Sequence, residues 1–307
     1  MSRCRGTAVA TALLLAALAA AGCGLGPGAD VGSVELTVTR EYGAVSVLET
    51  SDEATESDTV MRVLEGNAAK LATRYGGGYV SSIEGVSEGE RDGDPYDWFF
   101  YVDGVESPVG AADYVLHGGE RIWWDYRDWS ATNHVPAVVG SWPAPFSDGY
   151  QGRRQPVAVE CEGGGEACAA VRQALAGAGV RVSTGSPEDA IRVLVGPWAR
   201  LRSDSAAALI EKGPAESGVF ADFSSEGGAY RLEGLDQDGR PARDFGPGAG
   251  LVAATRRYEG PPVWVVTGGT AAAVRAAASL LTAAKLRDHY AVATEDGKET
   301  PLPVEGR

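Results

Sequence analysis

The stretch Arg121-Ile-Trp-Trp-Asp-Tyr-Arg127 limits the architecture more than any other segment of this 307-residue chain. Its β-favouring residues in alternating order predict a strand. The pleat sends Ile122, Trp124 and Tyr126 to one side and Arg121, Trp123, Asp125 and Arg127 to the other. The first set is a core face. The second sets one tryptophan among charges, which suits either a ligand or partner surface or an aromatic segment packed across it. Upstream, Trp98-Phe-Phe-Tyr-Val102 predicts another strand, ended by the hairpin dipeptide Asp103-Gly104.

Around these strands the chain divides by composition. Residues 34–129 form a first domain: a strand at Val34–Thr39, a helix over Thr59–Ala72 capped by Ser57 or Asp58 and stopped by Gly76-Gly77-Gly78, a strand at Tyr79–Val86, and a polar loop Ser87–Asp97. Residues 130–155 carry Pro136, Pro143 and Pro145 among glycines without sustained period and read as a linker. Trp142, Phe146 and Tyr150 allow that linker to pack on a neighbour. Residues 156–294 alternate strands (Val157–Glu160, Ile191–Val195, Val263–Thr267) with helices (Ala167–Ala178, Ser203–Glu211, Thr270–His289), the pattern of an α/β layer. A hairpin, Val219–Phe223 with Ala229–Glu233, interrupts the alternation. Residues 295–307 read as a polar, frayed tail.

The N-terminus supplies an address. Arg3 and Arg5 precede an Ala/Leu run from Ala8 to Ala21, and Ala20-Ala21-Gly22 leads directly into Cys23. A basic start, an apolar run too short to span a bilayer and small residues at the cut make a secretory signal over residues 1–22. Cysteine in that place resembles the bacterial lipobox, with Ala20 where Leu is commonest. The resemblance implies lipidation of Cys23, a tether over residues 23–33, and anchoring to the outer face of the bacterial cytoplasmic membrane; a plain secreted protein is the alternative. Losing Arg3 and Arg5 moves the net charge of −15 two units further negative. Such a chain is repelled by nucleic acid and by anionic lipid, so the membrane is a partner through the acyl chains. Cys161 and Cys168, separated by Glu162-Gly-Gly-Gly-Glu166, read as a local disulfide in an exported protein, or else as two free thiols.

Trp98-Phe-Phe-Tyr-Val-Asp-Gly104, Gly110-Ala-Ala-Asp-Tyr114, Leu116, Gly118-Gly-Glu120 and Ile122-Trp-Trp-Asp-Tyr126 together resemble the transcobalamin-like C-terminal domain of bacterial surface proteins. That resemblance implies a β-grasp-like fold for the first domain, so the expected class is α+β, a β-grasp-like N-terminal domain followed by an α/β domain. More weakly, Val195-Gly-Pro197, Gly246–Ala253 and Val265-Val-Thr-Gly-Gly-Thr270 resemble surface-layer-type α/β domains.

Chemistry is poorly signalled. His117, His134 and His289 stand far apart, and no Gly-x-Ser-x-Gly elbow is present, so neither zinc nor an enzyme is expected. The Gly268-Gly269 turn lacks the spacing of a nucleotide loop and reads as a tight strand-to-helix turn. Asp92, Asp94 and Asp97 offer oxygens for calcium but lack the EF-hand order, so a solvated loop is preferred and no metal is expected. The candidate ligand surface is Trp123 with Arg121, Arg127, Trp129 and Trp142. Two functions follow as expectations: a lipid-anchored surface binding protein presenting a cofactor-like ligand, a corrinoid, to a transporter, or a non-catalytic envelope structural or adhesion module without a small ligand. No resident cofactor is expected under either.

Overall fold

The computed structural model describes residues 28–163 and 165–306, so residues 1–22 and Cys23 lie outside the described residues. Among the described residues the fold is mixed and strand-rich, with four sheets. β1 (Asp30–Arg40) and β2 (Val45–Thr55) form a long antiparallel hairpin. In its turn Gly43 has φ of 86°, and a Cβ there would lie 1.7 Å from the Asp288 carbonyl oxygen, so only glycine fits. Helix α1 (Val60–Asn67) follows. β3 (Leu71–Arg74), β4 (Tyr79–Ile83) and β5 (Val86–Ser87) make a small antiparallel sheet. β6 (Gly89–Arg91), β7 (Asp94–Val102), β8 (Val105–Glu106) and β9 (Arg121–Asp128) complete the main sheet, in the order β2-β1-β9-β7-β6 with β8 on β7. β1 runs parallel to β9, and β7 antiparallel to it. One face buries Leu36, Val38, Ile122, Trp124 and Tyr126 in a core shared with Val60 and Leu64 of α1.

The C-terminal part contains β10 (Val157–Cys161), α2 (Gly165–Gly177), β11 (Ile191–Pro197), β12 (Ala221–Glu226), β13 (Ala229–Leu235), β14 (Pro241–Gly246), β15 (Gly250–Thr255), β16 (Val263–Gly268), α3 (Ala271–Ala278), β17 (Ala291–Glu295) and β18 (Lys298–Leu302). Its main sheet runs β10-β11-β16-β15-β17-β18, the first three parallel, with β15 antiparallel to both neighbours. Both faces are covered. Val193, Val195 and Val266 share a core with Val171 of α2 and Val274 of α3. Leu194, Val265 and Leu251 share another with Phe223, Leu232 and Phe245 of the β12-β13-β14 sheet. Burial on two faces explains the unbroken apolar run Val263–Val266.

Several sequence expectations need correction. The first helix ends at Asn67, because the Asn67 amide donates to the Val63 carbonyl (2.9 Å) and to Asp52 (2.8 Å) and competes with the next helical turn. Its cap is Thr59, whose hydroxyl accepts from the Arg62 N–H at 3.3 Å, and Leu71 begins a strand instead. The polar stretch 87–97 is no loop: Asp92 and Gly93, at φ 54° and 100°, turn β6 into β7. The helix expected over 203–211 is a 3-10 helix at Ala207–Lys212. The long helix expected from Thr270 stops at Ser279, whose hydroxyl bonds the Ala276 carbonyl; Leu280 and Leu281 then turn inward, and one short helix resumes at Ala283–Leu286. The tail is not frayed over 298–302: β18 pairs with β17 and buries Leu302. Residues 130–155, by contrast, pack on their neighbours as their aromatic content allows. Val138 joins one core, while Val139, Trp142, Phe146 and Tyr150 join another.

Cys161 and Cys168 are disulfide-bonded, with Cα atoms 6.0 Å apart, joining the end of β10 to the first turn of α2. Replacing both with serine should cost on the order of 2–3 kcal/mol, read as a lower urea midpoint; an unchanged midpoint would contradict the assignment.

Candidate functional site

All eight residues of β9 are buried. The strand pairs on both edges, with β1 and β7, so its backbone is satisfied and its side chains alone decide what each face meets. Ile122, Trp124 and Tyr126 enter the N-terminal core as the pleat predicts. On the opposite face Trp123 is fully buried, in one apolar cluster with Tyr42 and Tyr101 of the N-terminal part and Phe220 and Tyr290 of the C-terminal part.

A chain of hydrogen bonds crosses this seam. The Trp123 indole Nε1–H donates to Thr39 Oγ1 (2.8 Å), and the Thr39 hydroxyl donates to Asp125 Oδ1 (2.6 Å). The same oxygen accepts from the Gly43 N–H at 3.1 Å. Tyr290, from the far side, donates to Asp125 Oδ2 (3.1 Å) and accepts from the Tyr101 hydroxyl (3.3 Å). The rings add edge-to-face contacts: Trp123 with Tyr290 at 5.3 Å, and Tyr42 with Tyr290 and Phe220 at 5.0 and 5.1 Å. Burial pushes the Asp125 carboxyl up to about 6, opposed by the bonds from Thr39, Gly43 and Tyr290 and by the Arg127 charge.

The two arginines close the ends of the seam. Arg121 donates to the Gly140 carbonyl (2.7 Å) and pairs with Asp288. Arg127 is fully buried; it donates to the Thr132 carbonyl (2.8 Å), and its guanidinium stacks on Phe99 at 3.8 Å. Trp142 lies in the other C-terminal core against Phe146 and Trp264. Trp129 is exposed at 37% and lines a shallow groove with Arg74, Glu88 and Tyr96.

The five residues expected to form one ligand surface are therefore not one surface. Trp123 is not exposed, because residues of the C-terminal part pack against it, and Trp142 lies in a different core. The reason was visible in part: Thr37 and Thr39 alternate with Leu36 and Val38, which makes β1 two-faced like β9. Tyr101 follows from the same alternation in β7. Tyr290 carried no signal, since it follows directly on a stretch that reads as helix.

Other sequence candidates also separate. His117 lies beside Glu120 at 3.1 Å, His134 beside Glu106 at 2.5 Å, and His289 is largely buried with its basicity lowered by that burial. The Gly268-Gly269 turn is filled by protein: a Cβ on Gly269 would stand 2.1 Å from the Tyr230 carbonyl oxygen. Asp97 accepts from the Tyr79 hydroxyl (2.6 Å), and Asp92, Asp94 and Asp97 form no carboxylate cluster among the described residues. Among the described residues, three carboxylates that do converge are Asp94, Asp128 and Asp238, with oxygens within 4.8 Å of one another.

With a mixed, strand-rich fold built around a two-faced sheet, residues 57–128 match a domain of unknown function (DUF4430), a family associated with transcobalamin-like domains. The match spans α1 through β9 and so contains the seam strand; β1 and β2, which extend the same sheet, lie before it. No curated protein matches the chain.

Proposed function

We propose that this is an exported, lipid-anchored envelope protein that acts as a rigid, non-catalytic structural or adhesion module. The observation that carries this reading is the burial of Trp123: the aromatic, charged face that a planar ligand would need is spent on joining the two parts of the chain. The corrinoid-presenting alternative depended on that face being open. A β-grasp-like N-terminal unit followed by an α/β unit fits the sheet orders, and the shared interior favours the two moving as one body.

The anchor follows from Cys23. From there to Asp30 the chain reaches about 25 Å even when fully extended, so lipid on Cys23 would keep the start of β1 close to the bilayer. Cys23→Ser should move the protein from the membrane fraction to the soluble extracytoplasmic fraction, and unchanged membrane retention would overturn the anchor. The functional reading is tested by native mass spectrometry of the protein purified from its own cell envelope. The expected result is the mass of the lipidated chain with no organic ligand; a stoichiometric corrinoid or other organic small molecule would restore the binding-protein reading.

A further inference from the structure

We propose that Asp94, Asp128 and Asp238 form a divalent-cation site that takes calcium and ties the C-terminal part to the distal end of the main N-terminal sheet. The three come from separate segments. Asp94 opens β7, Asp128 ends β9, and Asp238 lies in the turn between β13 and β14. β7 and β9 are hydrogen-bonded neighbours with Tyr96 opposite Asp128, which fixes the first two carboxylates on one rigid edge. The Asp236 side chain fixes the third by accepting from the Asp238 N–H (3.1 Å) and the Arg240 N–H (2.9 Å).

Close approach of acidic groups alone would carry nothing. The second observation is the state of Asp128. This residue has no exposure to solvent. One of its oxygens accepts from the Ser130 N–H (2.7 Å) and hydroxyl, while Oδ2 is buried without a hydrogen-bond partner. A carboxylate oxygen held dry and unpartnered is unfavourable unless something positive meets it. Arg127 makes no ion pair with it: its Nη1 donates to the backbone carbonyls of Asp128 (3.1 Å) and Thr132 (2.8 Å), and its guanidinium stacks on Phe99. Arg240 pairs with Asp238, and among the described residues no ion pair reaches Asp94 or Asp128.

Three hard oxygen donors without nitrogen or sulfur select calcium or magnesium over the softer transition metals. Calcium suits the site better, since it tolerates irregular geometry and completes its shell with water. Sites of this kind outside the cytoplasm bind at roughly 0.1–1 mM.

The test is isothermal titration and thermal unfolding of the full processed chain with calcium chloride, at constant ionic strength set with sodium chloride. One calcium should bind per chain, and the unfolding temperature should rise by about 3 °C at tenfold excess over Kd. Asp128→Asn should abolish both effects. Asp238→Asn, in an accessible turn that tolerates the change, should weaken binding at least tenfold while leaving the calcium-free unfolding temperature nearly unchanged. Calcium binding that survives both substitutions, or a temperature rise reproduced by sodium chloride alone, would overturn the site.

Discussion

Trp123→Ala should destabilise the protein by about 3–5 kcal/mol, the largest effect expected of any single substitution in the N-terminal part. The indole is fully buried, so truncation leaves a cavity bounded by Tyr101 and Tyr290 as well as an orphaned contact at Thr39. Gly140 shows how tightly the space is filled, for a Cβ there would come within 2.8 Å of the Trp123 ring. Trp123→Phe should lose less, because it keeps most of the ring contact and gives up chiefly the Nε1–H bond. Urea unfolding measures both. A change below about 1 kcal/mol in Trp123→Ala, the range of an ordinary surface substitution, would show the ring to be dispensable.

Asp125→Ala should cost about 3 kcal/mol, because it strands the Gly43 N–H and the Thr39 and Tyr290 hydroxyls inside the seam. Asp125→Asn keeps an acceptor oxygen and should cost less, and it isolates a pH effect. In the folded state the carboxyl titrates at about 6, above its unfolded value of roughly 4. The native state then binds more protons than the unfolded state between those values, so this group's contribution to stability falls as pH rises from about 4 to about 6 and is level outside that window. The asparagine variant lacks the effect. Its stability relative to the unmodified protein should therefore improve across that window, and a difference that stays flat with pH would show Asp125 to be ionised without penalty.

The sequence exposed the pleat of β9 and the hairpin at Asp103-Gly104 because both rest on local rules, alternation and left-handed turn residues. The disulfide was likewise local. Asp103 at φ 51° and Gly104 at 76° adopt the turn those residues favour. What stayed hidden was the partner of the second face. Trp123 among charges reads the same whether a ligand, another chain or a distant segment covers it. The covering residues, Phe220 and Tyr290, lie far along the chain and reach it only through the long path of the C-terminal sheet. Helix ends were missed for a related reason: Asn67 and Ser279 stop their helices by bonding their own backbone, which apolar spacing does not report. Of Asp92, Asp94 and Asp97 only Asp94 lies in the carboxylate cluster, whose other two members arrive from β9 and from the β13–β14 turn, a convergence that local order does not report.

One shared interior should also mean one unfolding event, since neither part can leave without exposing Trp123, Tyr101 and Tyr290 together. Differential scanning calorimetry of the processed chain tests this most directly. The expected result is one endotherm whose calorimetric and van't Hoff enthalpies agree, with Trp123→Ala lowering the whole transition. Two separable endotherms, with Trp123→Ala moving only one of them, would mean that the two parts fold independently and that the seam is a surface contact rather than a common core.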